Sequence, residues 1–314
     1  MGRQRKRKGK RVHGWLVVDK PTDITSTQVV GRLKRLYNAQ KVGHGGTLDP
    51  LADGILPIAF GEATKTAQWA MDCDKEYVFT IEWGSSTDSQ DKEGAVTATS
   101  DMRPTSDAIT DILPDFIGDI QQVPPKYSAI KIAGERAYDL ARDGEAFEIP
   151  SRKVTVYEAE LVAAEDQDHA TIRVVSGKGF YVRAMARDLA AALGAEGHVS
   201  QLRRIRVGPM DKESAVTLAD LEALEDNNDA LTAHLKPLQA VLDDIPQIEV
   251  SGDDAAAITH GREVLLLPHT LDHWQAQRSE DANDRLTLAM HDGQAVALGE
   301  VRAGRFQPSK VFQL

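Results

Sequence analysis

Asp49 has the most constrained surroundings of any acid in this chain. It lies in "VGHGGTLDPLADG", residues 42–54, shortly after Gly45 and Gly46 and directly before Pro50. A proline ring excludes the helical region for the residue before it, so Asp49 must be extended, while the glycines let the backbone turn sharply beside a ligand. A carboxylate held this way can act as a nucleophile if a cation from elsewhere in the fold faces it and an electrophile is delivered to it. The same pattern also suits an Asx turn or a helix N-cap before "LADGI", and the local spacing leaves both open.

Other chemistries fit the sequence less well. A phosphate-binding loop needs Gly, four residues, then Gly-Lys-Ser/Thr; "GHGGTLDP" has no lysine in place and "SGKGF" at 176–180 fails the spacing. His44 has no second histidine at helical spacing and the remaining histidines are scattered, so no metal site is expected. Cys73 is the only cysteine, which rules out an internal disulfide and points to a reducing, cytoplasmic compartment. "STDSQDKEG", residues 86–94, lacks the spacing and closing glutamate of a calcium loop and is expected to be a solvated turn.

Elements to carry the acid can be read around it. "GWLVVDKP" suggests a strand ended by a proline turn, and Thr25 with Gln28 forms a capping box for a helix over about 26–38. After the glycine loop, "ILPIAF" suggests a buried strand, "EATKTAQWAM" a helix and "KEYVFTIEWG" another strand. Residues 105–116 look helical. Two strands follow as a hairpin around "EDQDH", then a strand carrying Phe180, Tyr181 and Arg183, an amphipathic helix ended by Gly194, and the strand "HVSQLRRIRVG". Residues 124–152, with a Pro-Pro corner and interleaved Lys, Arg and Tyr, suggest a mobile arm able to grip looped RNA. From about 212 to 243 the pattern is helical and acidic, and beyond Pro246 short strands predict a small β module.

The chain carries 37 Lys and Arg against 48 Asp and Glu, and seven of the basic residues fall in "MGRQRKRKGKRV" at the start. Behind that basic arm the body is strongly acidic, which argues against indiscriminate polyanion binding; a nucleic-acid partner would need a local basic stripe. No apolar run approaches the ~18 residues of a membrane helix.

Read together, "LVVDKPTDITS", "GHGGTLDPLADGILPIAFGEATK", "DKEYVFTIEWG", "TDSQDKEG", "VPPKYSAIKIAGERAYDLARDG", "SGKGFYVRAMARDLAAALG" and "HVSQLRRIRVG" closely resemble the TruB family, the bacterial tRNA pseudouridine(55) synthases. The resemblance runs in order from about 13 to 245 and is looser beyond. It implies an α+β pseudouridine synthase fold with a large mixed or antiparallel sheet and flanking helices. The implied organisation is a flexible arm at 1–12, a catalytic domain at 13–245 with a thumb-like insertion at 124–152, and a PUA-like RNA-binding β domain at 246–314.

Carried over motif by motif, the resemblance makes Asp49 the catalytic aspartate and His44 the residue that enters the space left by a flipped nucleotide. Tyr77 would stack on the uracil, Tyr181 and Arg183 would line the pocket with Arg183 pairing Asp49, and Leu202 would contact the base. Lys20 and Lys65 match basic positions beside the site, while Asp53, standing where Thr or Ser is common, adds negative charge near Asp49. The implied substrate is the T-arm stem-loop of tRNA, bound by a monomer with no membrane and no obligatory protein partner. The reaction is an isomerisation and needs no cofactor or metal. A tRNA-binding or folding protein with secondary or no catalysis is the alternative.

Overall fold

Residues 14–20, GWLVVDK, are apolar almost without interruption, and a strand of that composition has to be covered on both faces. A computed structural model describes residues 9–128, 130–132, 135–136, 147–164, 166–278 and 285–314. Residues 1–8 of the arm expected at 1–12, and residues 129, 133–134 and 137–146 of the expected thumb-like insertion, lie outside the described residues.

In chain order the strands begin with β1 (Gly14–Lys20), β2 (Val42–His44), β3 (Asp53–Phe60) and β4 (Lys75–Trp83). A small pair, β5 (Ser85–Thr87) with β6 (Val96–Thr99), precedes β7 (Gly118–Gln122); β8 (Lys131–Ile132) and β9 (Glu135–Arg136) form another pair. Then come β10 (Arg152–Ala163), β11 (His169–Ser176), β12 (Gly197–Val207), β13 (Met210–Asp211) and β14 (Val216–Thr217). Ten of these form one mixed sheet in the order β14-β1-β3-β12-β4-β11-β10-β7, with β2 beside β3 and β13 beside β12. β12 runs between β3, which it meets in parallel, and β4, which it meets antiparallel.

Helix α1 (Ser26–Leu36) packs Val29 and Leu33 onto the sheet, and both halves of its capping box at Thr25 and Gln28 are formed. "EATKTAQWAM" is less regular than expected. Residues Gly61–Thr66 form a 3-10 turn before the short helix α2 (Ala67–Asp72), because the hydroxyls of Thr64 and Thr66 donate back to the carbonyls of Gly61 and Ala63. Helix α3 (Ser106–Ile112) lies before β7.

The expected strand over Phe180, Tyr181 and Arg183 is a correction. Gly177 and Gly179, the latter at φ 85°, end the β11 hairpin, Tyr181 becomes the extended N-cap, and Arg183 is the second residue of helix α4 (Val182–Ala192). The helix closes in a Schellman motif, Ala195 N–H to the Ala190 carbonyl and Gly194 N–H to that of Ala191.

The C-terminal β domain holds β15 (Gln247–Glu249), β16 (Val264–Leu265), β17 (Leu286–His291), β18 (Gln294–Arg302) and β19 (Arg305–Val311), with helices at Gly252–Thr259 and Pro268–Ala276 that the sequence pattern did not reveal. It shares a core with the large sheet: Trp15, Val17 and Ile55 belong to the same apolar cluster as Leu242, Leu298 and Phe312. Among the described residues no helix is long and apolar enough to cross a membrane.

Candidate active site

The connection between β2 and β3 carries Asp49, and it is pinned on both sides of the acid. Ser26 at the start of α1 exchanges hydrogen bonds with the amide and carbonyl of Leu48, both 2.9 Å. On the other side the carbonyl of Pro50 accepts from the Asp23 amide at 2.9 Å and from Lys20 Nζ at 3.4 Å. Leu48 and Leu51 are buried under the loop, so Asp49 is left as the side chain facing outward. The Asx-turn and N-cap readings left open above are not realised: the carboxylate is engaged by Arg183 Nη2 at 2.9 Å.

Arg183 is buried, and its guanidinium gathers groups from three separate segments. Nη1 donates to the Ser89 carbonyl at 2.9 Å and pairs with Asp91 at 3.4 Å, while Nη2 donates to the Tyr127 carbonyl at 2.9 Å as well as holding Asp49. Its position on the first turn of a helix, rather than on a strand, lets it project toward all of them.

The segment "STDSQDKEG" is therefore only in part a solvated turn: Asp88, Lys92 and Glu93 are exposed while Thr87 and Asp91 are buried. Lys92 N–H donates to the Val199 carbonyl and Val199 N–H to that of Gln90, which stitches the loop along β12 and buries Asp91 to 3% exposure. Asp91 is further held by the Ser89 hydroxyl at 2.5 Å and the Glu93 amide at 3.1 Å. Local polarity misled the expectation, since Arg183 and Val199, which cover the loop, are distant in the chain.

Above this floor opens a cleft of about 420 Å³, lined by Asp49, Asp88, Asp91, Glu93, Tyr127 and Arg183 among others, within the size range of small-ligand sites. Burial pushes the Glu93 carboxyl up, with Asp91 and Asp49 adding to the effect. Four carboxylates repel phosphate, so the cleft suits the uncharged portion of a nucleotide and leaves the backbone outside.

The remaining expected residues fall into two groups. His44 ends β2, half-buried, and its Nδ1 is buried with no hydrogen-bond partner; burial first and the Arg204 charge second push its pKa down, which favours a neutral ring. Tyr77 lies on β4 directly opposite Arg204 of β12, and Leu202, buried on β12, is opposite Phe79. Tyr181 exchanges backbone hydrogen bonds with the Gln122 side chain at 2.8 and 3.1 Å and lies under the Arg152 guanidinium at 4.8 Å.

The lysines differ from one another. Lys20 is wholly buried and donates to the carbonyls of Pro21 and Ile24 at 2.8 Å as well as to Pro50; burial pushes its pKa down to about 8 against the raising influence of Asp53, Asp49 and Asp23. It is a brace beneath the loop. Lys65 is not brought to Asp49: it pairs with Glu62 at 2.5 Å and donates to the Val311 carbonyl at 2.6 Å, tying the C-terminal domain to the 3-10 turn. Asp53 is taken up by Arg203 at 2.9 Å.

Two residues escaped the sequence reading. Asp91 was hidden by its polar neighbours. Arg204, fully buried on β12, could have been suspected from strand alternation, which puts it on the same face as Leu202.

Comparisons with known proteins show what the whole chain is similar to. Residues 34–182 match the family model "TruB family pseudouridylate synthase (N terminal domain)" and residues 183–243 match "tRNA pseudouridylate synthase B C-terminal domain". The tRNA pseudouridine synthase B of Caulobacter vibrioides is 51% identical over 310 residues, 99% of each chain. That of Agrobacterium fabrum is 47% identical, covering 98% of this chain and 97% of its own. Among solved structures, a Cbf5-Nop10-Gar1 complex superposes with TM-score 0.69 at 25% identity over 96% of this chain and 85% of that one. An H/ACA RNP bound to a substrate RNA containing 2′-deoxyuridine gives TM-score 0.71 at 22% identity, covering 99% and 92%, a likeness of fold.

Proposed function

The chain belongs to the TruB family of pseudouridylate synthases, and from that premise we propose that it isomerises uridine 55 in the T-arm loop of tRNA to pseudouridine. The observation that carries the reading is the outward-facing Asp49, pinned on both sides and held by Arg183 at 2.9 Å at the floor of an acidic cleft.

The reaction breaks the N1–C1′ bond, turns the uracil, and joins C1′ to C5; the proton on C5 is lost and N1 gains one, so atoms and charge balance without oxidant or energy source. Cleavage passes through positive charge on the sugar, which Asp49 is placed to trap covalently, to stabilise, or to relieve by taking a proton. Arg183 orients the carboxylate toward the ribose.

A uridine in a folded loop is out of reach of a recessed carboxylate, so the base has to be flipped, at a few kcal/mol. Tyr77 stacks on the extruded uracil, with Leu202 and Tyr181 bordering it. His44, neutral and with a free Nδ1, fills the gap left in the RNA stack. The cleft admits base and sugar while its carboxylates exclude phosphate. Lys20 keeps the loop in register from below. The insertion at 124–152 and the C-terminal domain hold the arms of the RNA, and Lys65 contributes through the join between the domains. We place this activity in the cytoplasm, on free tRNA and without a guide RNA or protein partner.

Tritium release from C5-labelled uridine in an unmodified tRNA transcript tests this directly. The wild-type chain releases tritium from naked transcript and Asp49→Asn does not, while retaining tRNA affinity. Wild-type release no higher than the Asp49→Asn background leaves only a tRNA-binding protein, and strong release by both removes Asp49 from the chemistry; activity that requires an added guide RNA overturns the stand-alone reading.

A further inference from the structure

Arg204 is fully buried on β12, and among the described residues no carboxylate forms an ion pair with it. A guanidinium taken from water without a counter-charge is costly unless its donors are well used. Here they go to backbone carbonyls: Nε to Ile55 at 2.8 Å, Nη1 to Thr47 at 3.3 Å and Nη2 to Gly46 at 3.1 Å, with Tyr77 the facing residue across the β4–β12 ladder.

The placement follows from the sheet. β12 lies between β3 and β4, so the loop entering β3 and the ring on β4 are not neighbours; a side chain on β12 is what can touch both. In register, Arg204 stands opposite Tyr77 on one side and beside Gly54 on the other. Gly54 has φ 99°, and a Cβ there would meet the Arg204 carbonyl oxygen at 2.2 Å; only glycine lets β3 pass close enough to bring Ile55 to the guanidinium. Gly46, at φ 127°, turns the loop so that its carbonyl faces the same fork.

We propose that Arg204 is a positioning residue of the isomerisation: its fork fixes the Gly46–Thr47 turn while its side chain stands against the facing Tyr77, so that the acid and the stacking ring are set relative to each other before RNA arrives. This rests on the reading of Asp49 and Tyr77 given above. A planar fork reaches three carbonyls in fixed directions; an ammonium keeps the charge and loses that geometry. Charge and shape are therefore separable.

The experiment measures single-turnover tritium release at saturating enzyme, tRNA Kd and Tm for the wild type, Arg204→Lys, Arg204→Gln and Gly46→Ala. Arg204→Lys is expected to lower the single-turnover rate about 100-fold with Kd within about threefold, and Arg204→Gln to lower it at least as far. Gly46→Ala disturbs the clamped turn through its backbone, because φ 127° strains any side chain there while the Cβ itself meets Arg204 Nη1 at only an ordinary 3.6 Å, and is expected to cost about 10-fold in rate with Kd unchanged. Gly46→Ala serves alone if the Arg204 variants do not fold. Wild-type rate in Arg204→Lys would mean charge alone and overturn the proposal. So would wild-type rate in Gly46→Ala, or rate losses that only follow losses in Kd and Tm. An inactive wild type would instead refute the assigned reaction, so the two failures are distinguishable.

Discussion

Arg183 and Asp91 face each other 3.4 Å apart beneath the cleft, both nearly closed to solvent, and the same guanidinium holds Asp49 at 2.9 Å. Both carboxylates border the cleft, but Asp49 is partly exposed there while Asp91 is almost wholly buried, so the second can steady the arginine. Asp91→Asn preserves shape and removes one charge from a buried pair. Turnover is expected to fall about 10- to 100-fold with tRNA affinity little changed, because the arginine loses its second anchor while the buried site keeps its shape. Single-turnover release and filter binding on the same preparation check this; a normal rate would show that Asp91 has no part in steadying Arg183.

The buried lysine beneath Pro50 makes stability depend on pH. Lys20 has its folded pKa depressed to about 8, below its unfolded value of 10.5, so the unfolded chain binds more protons between those values and stability rises with pH across that window. Below pH 8 both states are charged and the full cost of burying the ammonium is present. The Tm of the wild type relative to Lys20→Met should accordingly increase from pH 8 to pH 10; a flat difference would mean that Lys20 titrates normally.

Gly45 fills a space with no room for a methyl group. A Cβ there would lie 2.7 Å from Ala70 Cβ and 3.2 Å from the Trp15 ring, both in the core behind β1 and β3. Gly45→Ala is expected to destabilise by about 1–3 kcal/mol through overpacking. Chemical denaturation measures it. An unchanged midpoint would show that α2 shifts freely.

The C-terminal domain is coupled to the catalytic sheet by more than its linker. Phe312 packs in a cluster with Leu242 and Trp15, Lys310 lies over the Trp69 ring at 4.5 Å, and the Gln313 amide donates to Glu62 at 3.0 Å. Phe312→Ala is expected to cost about 3–5 kcal/mol and to lower the midpoint of one cooperative transition for the whole chain. Calorimetry showing two transitions, with only the smaller one moved, would refute this coupling.

Much of the framework was legible because it is written in local patterns. The capping box at Thr25 and Gln28, the apolar run of β1, the alternation of β4 and the restraint of Pro50 on Asp49 act over a few residues and leave their mark in a few residues. The ordered set of motifs extended this to a family and through it to a chemistry. What the local pattern could not supply was partnership. Whether "STDSQDKEG" is solvated depends on Val199 and Arg183, whether Lys65 faces RNA or the C-terminal domain depends on Val311, and whether an arginine in "LRRIRV" is buried depends on two strands from other parts of the chain. A charged side chain carries no local sign of its burial: that is decided by which distant segment covers it and which carbonyls and carboxylates arrive with that segment. The sequence by itself determined the family and many of the elements, though not the helix that carries Arg183; only the packing of β12 between β3 and β4 decided which charges meet, because desolvation and hydrogen bonding act through space and not along the chain.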